Sequence, residues 1–158
     1  MTTISLESFT KLDEDLINGI ILSLNTVVPI QNKIDNIHMT DYQHLDFPCA
    51  VLLSLTGDVK GKMVLAGDTS LFQHIAQTMF GMPLEGEMLS SFRGELANMI
   101  AGGLATNVAN KEIYIDITSP TIMDGETIKA DYQRGLQITT AFDQIGNLEI
   151  YMLLNDSN

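Results

Sequence analysis

Displacing the chain by 80 positions sets Leu16 against Leu96, Asn18 against Asn98, Ile20 against Ile100, Leu24 against Leu104, Thr26 against Thr106 and Val28 against Val108, with Asp15 opposite Glu95. The apolar members of both segments recur at helical spacing. Ser5 to about Val28 therefore reads as one long amphipathic helix stopped near Pro29, and a second begins between Glu87 and Ser91 and runs to about Asn110. Each helix is followed, at a distance, by two apolar runs around a glycine-containing turn. The first pair is Ala50-Val-Leu-Leu-Ser-Leu-Thr and Lys62-Met-Val-Leu-Ala, with Asp58 and Gly61 between or beside them. The second is Leu136 to Phe142 and Leu148 to Leu154, joined by Gln144-Ile-Gly-Asn with Asp143 beside it. A helix-then-hairpin unit used twice predicts an α/β fold of the α+β type: a single, largely antiparallel sheet covered by long helices, with a pseudo-two-fold internal repeat. At 158 residues and 45% hydrophobic content the chain is expected to form one domain over 1–158, with internal halves of roughly 1–80 and 81–158.

Between these units the reading is thinner. Thr69 can cap a helix through His74 and Met79 that stops at Gly81-Met-Pro83. Ile113-Tyr-Ile-Asp-Ile alternates as a strand does, and Pro120 punctuates the segment after it. The stretch from Ile30 to Phe47 can hold an edge strand or a loop. Asp58 and Asp143 suit hairpin turns. Cys49, the single cysteine, precedes an apolar run, reads as a buried strand residue and has no partner for an internal disulfide. The three histidines, His38, His44 and His74, are not spaced with Asp, Glu or Cys as zinc ligands are, and His74 reads as a partly packed helix residue. Met79, Met82, Met88 and Met99 are expected to fill gaps between elements.

The later helix carries the chemistry. On a helical wheel Leu96, Ile100 and Leu104 gather on one side, and Ser91, Glu95, Asn98, Gly102 and Ala105 on the other. Between Gly94 and Ala105 only Glu95 and Asn98 have polar side chains. A face that merely needs solvent is normally filled with Lys, Glu, Gln and Arg, so a polar pair one turn apart among Gly and Ala leaves room for something bulky. Gly102 and Gly103 cost about 1 kcal/mol each relative to alanine in a helix interior, which calls for compensation. Gly102 lies on the polar-pair face, where it clears a path, and Gly103 lies toward the core, where a neighbour can approach closely.

Charge narrows the partners. A net charge of -12 with eight Lys and Arg in no patch argues against nucleic acid and favours a partner whose exposed face bears lysines. No apolar run approaches the roughly 20 residues of a membrane span, and the N-terminus lacks a signal-peptide pattern, so a soluble, cytoplasmic protein away from membranes is expected.

Ser91-x-x-x-Glu95-x-x-Asn98, followed by Met-Ile-Ala-Gly-Gly and by Pro120 after 21 intervening residues, resembles the signature of the CheC/CheX/FliY phosphatases of bacterial chemotaxis, in which the spacer is usually 22. CheC-like and FliY-like members carry the Glu and Asn pair in both halves, whereas CheX-like members carry one pair, in the later helix. Here the earlier helix has Asp15 and Asn18 among bulky Leu16, Ile17, Ile20 and Ile21, so the best match is CheX-like with one site. The resemblance implies hydrolysis of the aspartyl phosphate of a CheY-like receiver, with Asn98 orienting the attacking water and Glu95 pairing with the receiver's lysine. Ser91 would line the rim or cap the helix. It implies no cofactor of the chain's own, the divalent metal belonging to the partner receiver, and it implies a homodimer. The rival reading is a non-catalytic receiver-binding adaptor or flagellar-switch-like module using the same face.

Overall fold

The computed structural model describes residues 3–4, 9–40, 44–129 and 132–155. In chain order these form β1 (Thr3–Ile4), α1 (Lys11–Val27), β2 (Asn32–Thr40), β3 (His44–Phe47), β4 (Ala50–Gly57), β5 (Lys60–Ala66), α2 (Thr69–Phe80), α3 (Gly86–Ala109), β6 (Ile115–Ile117), β7 (Thr121–Met123), β8 (Glu126–Lys129), β9 (Arg134–Phe142) and β10 (Gly146–Asn155). The main sheet runs β1-β2-β9-β10-β5-β4-β6, with β7 also pairing β4, and every pairing is antiparallel except β1 with β2. Three helices on a largely antiparallel sheet make this an α+β protein, as the periodicity predicts.

Both hairpins form as expected, β4 with β5 and β9 with β10. Their near-continuous apolar runs have a cause that lies outside the local sequence. Alternate residues of each strand feed opposite faces: Val51, Leu53, Leu55, Met63, Leu65, Ile150 and Met152 join the core beneath the helices, while Ala50, Val64, Ala66, Tyr151 and Leu153 join a second cluster with Leu45 and Phe47. That second cluster is covered by a two-stranded ribbon, β3 with β8. A sheet buried on both faces needs apolar side chains on both, which erases the period-two signal. The expected single sheet is therefore a main sheet plus a small ribbon on the face opposite the helices.

Several boundaries move. The expected helix from Ser5 begins at Lys11, because Thr10 makes a capping box with Asp13: Asp13 N donates to Thr10 Oγ1 and Thr10 N donates to Asp13 Oδ2, both at 3.0 Å. Residues 5–8 of that expectation lie outside the described residues. Asp13 is fully buried, with Arg134 Nη2 at 3.0 Å from Oδ1. Replacing Thr10 with Ala is expected to lower stability by about 1 kcal/mol, read as a shift of the urea midpoint with unchanged slope.

The cap of α2 is Asp68, whose backbone carbonyl accepts from Leu71 and Phe72, rather than Thr69, which is the first helical residue. Cys49 is buried but lies in the bend before β4, not in a strand. The undecided stretch 30–47 holds β2, an interior strand of the main sheet, and β3, with residues 41–43 outside the described set. The strand expected at 113–117 is confined to Ile115–Ile117, because Ile113 N and Tyr114 are committed to ending the helix and to Asp58. His74 is exposed rather than partly packed.

Candidate functional site

The site is carried by α3, 24 residues and about 36 Å long. Leu89, Phe92, Leu96, Ile100, Leu104 and Val108 are buried on one side, together with the small Ala97 and Ala101. The helix begins at Gly86, slightly before the expected start, with Glu85 as its cap residue. Ser91 is thus more than a turn inside and cannot cap the helix; it is exposed on the outer face.

Two contacts hold this helix at a fixed height. Along its middle it crosses α1 at very short range: a Cβ built on Gly103 would land on Ser23 Oγ and stand 2.9 Å from Ser23 Cβ. The space is used instead by a buried hydrogen bond in which Ser23 Oγ donates to Ile100 O at 2.7 Å. One turn on, Asn107 Nδ2 donates to Gly19 O at 3.0 Å. Gly103 is therefore repaid by close helix packing, as expected for a glycine on the core side.

At the other end, buried Arg93 donates through Nη2 to Ala50 O at 2.8 Å and to Asp124 Oδ1 at 3.0 Å, with its guanidinium 5.6 Å from the Phe72 ring centroid. Sequence reasoning passed over Arg93, although a lone cation four residues after Leu89 and three before Leu96 falls on the apolar stripe. Its burial ties α3 to the start of β4 and to the end of β7. The ring of Pro120 then lies over Gly94, 3.4 Å from where a Cβ would stand, so the loop between β6 and β7 borders the helix beside Glu95.

Above this fixed base the polar pair stands out. Glu95 is exposed and Asn98 is half-buried, with Gly102 and Ala105 continuing the same face. Their Cβ atoms, three residues apart on a helix, are about 5–6 Å from each other. Among the described residues neither side chain has a hydrogen-bond or ion-pair partner within the chain. Nothing lies within 4 Å of a Cβ built on Gly102, so the space beside Asn98 is open. A carboxylate and a carboxamide held on a rigid rod, without internal partners, are free to engage another molecule.

The earlier helix presents a different surface. Asn18 is exposed, but Asp15 is only 8% exposed and accepts from Lys11 Nζ at 3.0 Å. That hydrogen bond, with the charge of Asp15 behind it, holds the Lys11 ammonium above its ordinary range. Asp15 is thus committed within its own helix where Glu95 is not. Among the described residues no group of three or more His, Cys, Asp or Glu is arranged to hold a metal ion, and no helix is long and apolar enough to cross a membrane.

Known proteins resemble this chain in sequence and in fold. Residues 49–142 match the family described as Chemotaxis phosphatase CheX. The CheY-P phosphatase CheX of Thermotoga maritima is 26% identical over 118 residues, which is 72% of this chain and 76% of that protein. Among solved structures, a CheC-like superfamily protein from a Shewanella species superposes with a TM-score of 0.78 at 21% identity, over 90% of this chain and 98% of the other. A chain of the CheX–CheY–BeF3–Mg2+ complex from Borrelia burgdorferi superposes with a TM-score of 0.74 at 18% identity, over 90% of this chain and 97% of the other.

Proposed function

The chain belongs to the CheX chemotaxis phosphatase family, and from that premise we propose that it hydrolyses the aspartyl phosphate of a CheY-type response-regulator receiver domain. One observation carries the reading: Glu95 and Asn98 project from the same open face of α3 with no partner among the described residues. The Thermotoga maritima relative acts on CheY-P, and the Borrelia burgdorferi structure is of a complex with CheY bearing BeF3, which supports the same partner class here.

The division of labour follows from the chemistry. Water attacks phosphorus in line with the bond to the aspartyl oxygen; that bond breaks, inorganic phosphate leaves and the receiver's aspartate is regenerated. The receiver brings a divalent ion and a lysine, which neutralise charge on the phosphoryl oxygens. Asn98 enters the phosphorylated pocket and its carboxamide holds the attacking water, while Glu95 pairs with the receiver's lysine and sets the docking register. Gly102 gives the receiver's backbone room to approach, and Ser91 lies on the rim. One site is used per chain, because Asp15 is buried and paired with Lys11, so the Asn18 face lacks a free carboxylate at the matching position. A homodimer in the cytoplasm is the expected form.

The test is the lifetime of a radiolabelled, phosphorylated receiver with and without this protein. A shortened lifetime is expected; an unchanged lifetime despite binding would leave a non-catalytic adaptor. Glu95→Ala is expected to raise the concentration of receiver at half-maximal rate by about 10-fold or more, since a hydrogen bond to a charged group is worth about 1.5–3 kcal/mol. The maximal rate should change much less, and the opposite pattern would contradict the docking role.

A further inference from the structure

The methionines expected to fill internal gaps do not all do so. Among the described residues the large apolar side chains most open to solvent are Leu22, Phe80, Met82, Met88, Met99 and Tyr114, and four of these six fall between the end of α2 and the middle of α3. Met88 is 60% exposed, Phe80 57%, Met82 52% and Met99 37%. Single exposed apolar residues are ordinary; four within 20 positions, beside the polar pair's helix, need an account.

Two of the four flank the polar pair, and the other two lie at the corner that leads into its helix. Met88 lies seven residues before Glu95 and Met99 four after it, so both stand on the helix face that carries Glu95, one on either side. The Phe80 ring meets Phe92 edge-on, with centroids 5.7 Å apart, and Phe92 lies one turn from both Met88 and Glu95. Met82 follows in the turn that leads into α3. Exposed apolar side chains thus stand at the α2–α3 corner and again on the Glu95 face of α3, with buried Phe92 between Phe80 and that face. Its charges have one sign: Glu85, Glu87 and Glu95 are exposed, whereas Arg93, the single cation between positions 80 and 102, is buried.

We propose that Phe80, Met82, Met88 and Met99 form an apolar docking rim that seats the receiver around the Glu95–Asn98 pair and sets which receivers the protein accepts. The inference rests on the functional reading above. An apolar border excludes water from the charged contact at its centre, which strengthens that contact. Unbranched methionines let the border adapt to the partner's surface. The occupant this fits is a receiver domain with exposed apolar side chains beside its phosphorylation pocket and basic residues facing Glu85 and Glu87.

The experiment measures the affinity of a beryllofluoride-loaded receiver, and the dephosphorylation rate at saturating receiver, for wild type, for the double variant Met88→Gln with Met99→Gln, and for Met88→Leu with Met99→Leu. The Gln pair is expected to weaken binding by about tenfold with the saturated rate within about twofold, and the Leu pair to bind like wild type. An active wild type whose Gln pair binds undiminished would overturn the rim alone, as would a Gln pair that changes only the oligomeric state and so marks a contact between copies. A wild type without effect on the receiver's phosphate would overturn the functional reading and the rim with it.

Discussion

Asn98→Ala is expected to lower the turnover of the phosphorylated receiver by about 100-fold or more while the affinity for a beryllofluoride-loaded receiver stays within about threefold. The asymmetry follows from what the side chain has to do. Asn98 offers one carboxamide to a water that must sit in line with a breaking phosphorus–oxygen bond, and misplacing a reacting atom by about 1 Å can cost a factor of about 100. Docking draws on a wider surface, of which the half-buried Asn98 is a small part. The loss belongs to the saturated rate, as for an interaction made only in the transition state. Near-normal turnover in the variant would remove Asn98 from the chemistry, and a parallel collapse of binding and turnover would make it a docking residue. Circular dichroism should show a melting temperature that does not fall, because among the described residues the side chain has no partner to lose and alanine is the better helix former.

The second large effect is on the scaffold. Gly103→Val is expected to destabilise the protein by about 3 kcal/mol or more, a fall in melting temperature of roughly 10 °C for a chain of this size. Any Cβ at this position collides with Ser23, and the branched side chain would push α1 away and break the buried hydrogen bond from Ser23 Oγ to Ile100 O. The neighbouring glycine responds with the opposite sign. Gly102→Ala meets open space and is expected to stabilise the helix by up to about 1 kcal/mol through backbone entropy alone. Two adjacent glycines in one helix, one needed by the core and one by the visitor, are separated by this pair of melting curves. Similar losses at both positions would show that Gly103 owes its place to something other than helix contact.

Local periodicity made much of this legible. The stripe of Leu96, Ile100 and Leu104 sufficed to place α3 and to turn Glu95 and Asn98 outward, because a helix links spacing to direction without reference to the rest of the chain. The two hairpins were legible for the same reason, their strands being joined by short turns. Arg93 was legible in principle, as a cation on the apolar stripe. Its acceptors were not, since Ala50 and Asp124 lie 43 and 31 positions away.

By itself, then, the amino-acid order determined the helix that carries the candidate site, the direction in which the carboxylate and carboxamide face, and the α+β class, all of which arise from interactions within a few residues. Tertiary structure alone decided that a ribbon of β3 and β8 covers the second face of the sheet. It also decided that Asp15 is buried while Glu95 stays exposed, and that Met88 and Met99 remain in solvent rather than in the core. Those outcomes depend on which distant segments reach a given side chain first. Burial is a property of the assembled neighbours, and no spacing along the chain encodes it.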